Sequence, residues 1–70
     1  MPLSLAQAGE TLSVRHVGGK PETKKHLENL GFVAGSTVQV VSVSSGNFIV
    51  IVKECRIAVS RELAQKIEVA

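Results

Sequence analysis

The side chains of this sequence with the chemistry to hold a metal are His16, His26, the single Cys55 and carboxylates such as Glu54. Imidazole and thiolate suit zinc or ferrous iron better than magnesium. A metal site, however, needs three or four converging ligands, and no zinc-knuckle pair or helical His-x-x-x-His occurs here. His16 reads as a strand residue near the surface, His26 as a solvated helix residue and Cys55 as a small thiol flanking a turn. The sharper alternative is a weak metal site at the surface. Nucleophilic catalysis has less support, because no Gly-framed elbow presents a serine or the cysteine beside a base. A phosphate-binding loop would close on Gly-Lys-Ser or Gly-Lys-Thr; Gly19-Lys20-Pro21 comes closest and lacks the hydroxyl. A chain this short has little room for the usual pocket of about 300 Å³ or more, so no independent enzymatic activity and no resident cofactor are expected.

Arg15, Lys20, Lys24 and Lys25 are placed to form a basic patch where a strand meets a helix. A net charge of +2 gives little counterion release, and Tyr and Trp, the residues that stack bases, are absent. No nucleic-acid partner is expected, and proline-rich peptides are disfavoured for the same lack of aromatic grooves. The longest apolar run, Phe48 to Val52, is far short of the roughly 20 residues that cross a bilayer, so direct membrane insertion is not expected. A lone cysteine forms no internal disulfide and no signal stretch opens the chain, which makes a cytoplasmic location the expectation.

The elements that must position these residues follow from periodicity and punctuation. Ser4-Leu5-Ala6-Gln7 has the spacing of a capping box and predicts one short helical turn ended by Gly9. Leu12 and Val14 alternate with Ser13 and Arg15, a strand with one buried face, extending to about Val17. Gly18-Gly19 breaks it, and Pro21 suits the first position of a helix over Pro21 to Leu30. Gly31 can adopt the left-handed conformation that ends a helix and return Phe32 onto Leu27. A second strand spans Thr37 to Val43. Its phase is uneven, with Val38 and Val40 on one face and Val41 and Val43 on the other, which implies either two covered faces or a bulge near Val40-Val41. Ser44-Ser45-Gly46-Asn47 marks a hairpin.

A third strand runs from Phe48 to about Lys53, and its five consecutive apolar residues suggest burial on both faces. Glu54-Cys55 reads as the next tight connection and Arg56 to Val59 as a fourth strand. Ser60 caps a last short helix, with Glu62 in its first turn, and Ile67 to Val69 closes the pattern as a fifth strand. These elements compose one domain over residues 1–70, with no linker or internal repeat. The fold class is all-β: a small, closed or half-closed barrel of about five strands with an inserted helix and short terminal helical turns.

The order and punctuation of these elements resemble the FeoA family. The resemblance rests on Leu5 followed by Gly9, Val14 before Gly18-Gly19, Leu27-Glu28-Asn29-Leu30-Gly31-Phe32, and Ala34-Gly35 before Val38. It is completed by Ile57-Ala58-Val59-Ser60-Arg61-Glu62-Leu63-Ala64 before Ile67 and Val69. Two positions depart from it: Lys53-Glu54-Cys55-Arg56 stands where the family commonly has a permissive turn residue, and Ala34 where proline is frequent. The resemblance implies an SH3-like barrel and a cytoplasmic accessory role in bacterial ferrous iron uptake. The implied partner is a FeoB-type membrane iron transporter, whose cytosolic domain carries the GTPase chemistry. Because the same barrel occurs in metal-dependent repressors, a metal-sensing regulatory domain that binds a transition metal is the alternative.

For partner binding, the candidate residues are Leu27, Leu30 and Phe32, an apolar cluster at the helix end that exceeds what the barrel core obviously needs. The competing reading is that the same residues pin the helix to the barrel, as amphipathic helices usually bury their stripe.

Overall fold

The computed structural model describes residues 1–70. After a 3-10 turn at Leu3–Leu5, the chain forms β1 (Thr11–Val17), α1 (Pro21–Leu30), β2 (Thr37–Ser44), β3 (Asn47–Val52), β4 (Cys55–Ser60), α2 (Arg61–Ala64) and β5 (Ile67–Val69). The strands make one antiparallel sheet in the order β4-β3-β2-β1-β5. β1 serves two neighbours: Thr11 to Ser13 pair with β2, and Val14 to Val17 pair with β5, with a register shift between Val14 and His16. That change of partner turns the sheet through a corner. β4 and β5 do not pair with each other, so the barrel is half-closed.

The broken phase of β2 is a bulge. Val40 pairs with Val50 and Ser42 with Ile49, which leaves Val41 without a partner residue on β3. Val38 and Val40 are fully buried, while Val41 and Val43 remain 37% and 39% exposed. An extra residue in one strand bends it and increases its twist, and this is how a short sheet curls around a core.

The inner faces of β2, β3 and β4 supply Val38, Val40, Phe48, Val50, Val52 and Val59 to that core. Leu3, Val14, Leu27, Phe32, Ala64, Ile67 and Val69 complete most of it from the other elements. Ser60 caps α2 as its sequence position predicts, its Oγ accepting from the Leu63 N–H at 3.3 Å.

Three local expectations change. Ser4 lies inside the 3-10 turn and makes no capping bond, and the turn ends at Ala6. The Gln7 N–H donates to Glu10 Oε1 at 2.6 Å instead. Leu3 and Ala6 are both buried, and Pro2 bridges to Glu68 on β5, so tertiary packing overrides the local signal. The connection before β4 is Lys53-Glu54, with φ of 50° and 65°, and Cys55 already belongs to the strand opposite Val52. This register places Ile57 and Val59 beside Val50 and Phe48 on the inner face; a slip of one residue would turn them outward. Finally, β3 is covered on one face only. Phe48, Val50 and Val52 are buried, whereas Ile49 and Ile51 are half-buried on the outer face.

Candidate functional site

α1 begins at Pro21, whose missing N–H costs nothing in a first turn, and ends at Gly31 with φ 112°. The Gly31 N–H donates to the Glu28 carbonyl at 3.0 Å and the Phe32 N–H to the Leu27 carbonyl at 3.1 Å. These are the paired bonds of a Schellman ending, which brings Phe32 back toward Leu27. A Cβ at position 31 would lie 3.4 Å from Lys53 Cδ and 3.6 Å from Val52 Cγ1, so the β3–β4 turn packs closely over the helix end. Backbone conformation and proximity both favour glycine here.

The proposed partner-binding residues divide in this geometry. Leu27 and Phe32 have 0% exposure and belong to the barrel core. Leu30 is half-buried and packs against that core from the rim. Of the three candidates, Leu27 and Phe32 pin the helix to the barrel and Leu30 is the one whose side chain is reachable from solvent. The Schellman return directs Phe32 inward, and the helix uses Leu27 to seat on the sheet.

The possible metal ligands are dispersed. His16 is exposed on β1, in register with Glu68 on β5; His26 is exposed on α1; Cys55 is exposed at the start of β4. No three His, Cys, Asp or Glu side chains converge. Glu68 is engaged by the N-terminal ammonium at 3.1 Å. Arg15, Lys20, Lys24 and Lys25 are all exposed around the β1–α1 connection. Arg61 leans over the Phe48 ring, 5.9 Å from its centroid, within cation–π range.

The family described as FeoA domain matches residues 1–70. The chain belongs to the FeoA family. Among solved structures, an iron uptake regulatory protein (FeoA) is 30% identical, with a TM-score of 0.91 over 100% of this chain and 93% of that one. The FeoA of Stenotrophomonas maltophilia, a procaryotic SH3 domain protein solved with zinc, is 26% identical. Its TM-score is 0.88 over 100% of this chain and 89% of that one. A manganese-dependent transcriptional repressor shares the fold at 19% identity and a TM-score of 0.91, with this chain spanning 35% of its length. A comparison with curated proteins finds no match.

In this FeoA domain the expected SH3-like barrel is present. Both positions that depart from the family's pattern are accommodated: Lys53 and Glu54 adopt left-handed backbone in the turn, and Ala34 is exposed beside Gly35. Sequence reasoning missed two features of the surface. One is Leu5, the last residue of the 3-10 turn, which is 66% exposed. The other is the outer edge of β4, which no composition signal marks because edge status is a property of strand order. Val41 did carry a signal, the phase break in β2.

Proposed function

We propose that this FeoA-family protein is a cytoplasmic accessory protein of bacterial ferrous iron uptake that binds the cytosolic part of a FeoB-type membrane transporter and modulates it. The carrying observation is the family match across the whole of residues 1–70. The 30% identical iron uptake regulatory protein, aligned end to end, supports the same reading. No helix is long and apolar enough to cross a membrane, so in this reading the transporter supplies the membrane-embedded part and this domain acts through contacts. Leu30 is the accessible member of the Leu27, Leu30 and Phe32 group, and the two buried members fix its position at the rim.

The test is a pull-down of the intact transporter by the purified domain, with nucleotide and ferrous iron varied. Retention of the transporter is expected, and retention should fall at least several-fold for Leu30→Glu. Undiminished binding by a folded Leu30→Glu protein would remove Leu30 from the docking surface. Absence of any retention under all nucleotide and iron conditions would overturn the transporter reading. The metal-sensing alternative is decided separately by anaerobic calorimetry of the domain alone with ferrous iron and zinc, since a sensor must bind metal without the transporter.

A further inference from the structure

We draw no further inference here: the strongest candidate, the outer face of the sheet where half-buried Ile49 and Ile51 lie beside the exposed Ala58 and Arg56 of β4, carries nothing because nothing in the structure shows what covers it.

Discussion

The helix end at Leu27-Phe32 and the outer face of β3 are both apolar in sequence, yet they meet opposite fates. The first has the pattern of a surface cluster and is buried: Leu27 and Phe32 are inaccessible. The second lies in a run that suggests burial on both faces, yet Ile49 and Ile51 face outward without a covering layer. Apolar composition was similar in both; what separated them was whether another element arrived to cover them. Gly31 returns the chain over the helix end, while nothing in the strand order passes across the outside of β3.

This contrast makes the two regions respond differently to substitution. The largest effect is expected at Phe32→Ala, with a loss of about 3 to 5 kcal/mol in denaturant unfolding, the usual range for deleting a buried aromatic. A loss under about 1 kcal/mol would mean that the helix end is loosely packed. Next comes Gly31→Ala, expected to cost about 1 to 2 kcal/mol because alanine at φ 112° is strained and its Cβ meets Lys53 and Val52. Glu54→Gly is expected to raise the thermal midpoint by a few degrees, equivalent to about 0.5 to 1 kcal/mol, by relieving left-handed backbone at φ 65° in an exposed turn. The smallest effect belongs to the outer face: Ile51→Thr should change stability by less than about 1 kcal/mol, since threonine suits a strand and the site is half exposed. If Ile51→Thr cost as much as Phe32→Ala, the two regions would be alike and the contrast would fail.

Much of the barrel was legible because strand and turn signals are local. β1 and α1 have their expected bounds, the Gly31 ending forms as its residues imply, and the uneven valines of β2 mark a real bulge. The Ser4 capping box misled because the N-terminal segment is organised by Leu3 in the core and by Pro2 against β5, contacts separated by most of the chain. The turn at Lys53-Glu54 was displaced by one residue because two non-glycine residues adopt positive φ there, a conformation their types do not advertise. For the site, residue type identified the apolar group at the helix end, but accessibility depended on where Phe32 turned. The free edge of β4 could not be read at all before the strand order was known.

The pairing of β1 with β5 joins residues near Val14 to residues near Val69, whereas the β2–β3 and β3–β4 hairpins join near neighbours in sequence. Contacts of high sequence separation form late because the entropy of closing the loop precedes their reward. The hairpins can assemble while the chain is still being synthesised, but Ile67 and Val69 must leave the ribosome before the core is complete. Maturation is therefore a step that follows synthesis of β5. A nascent chain stalled with Ile67–Val69 still inside the exit tunnel should remain protease-sensitive, and one stalled well beyond Val69 should become resistant.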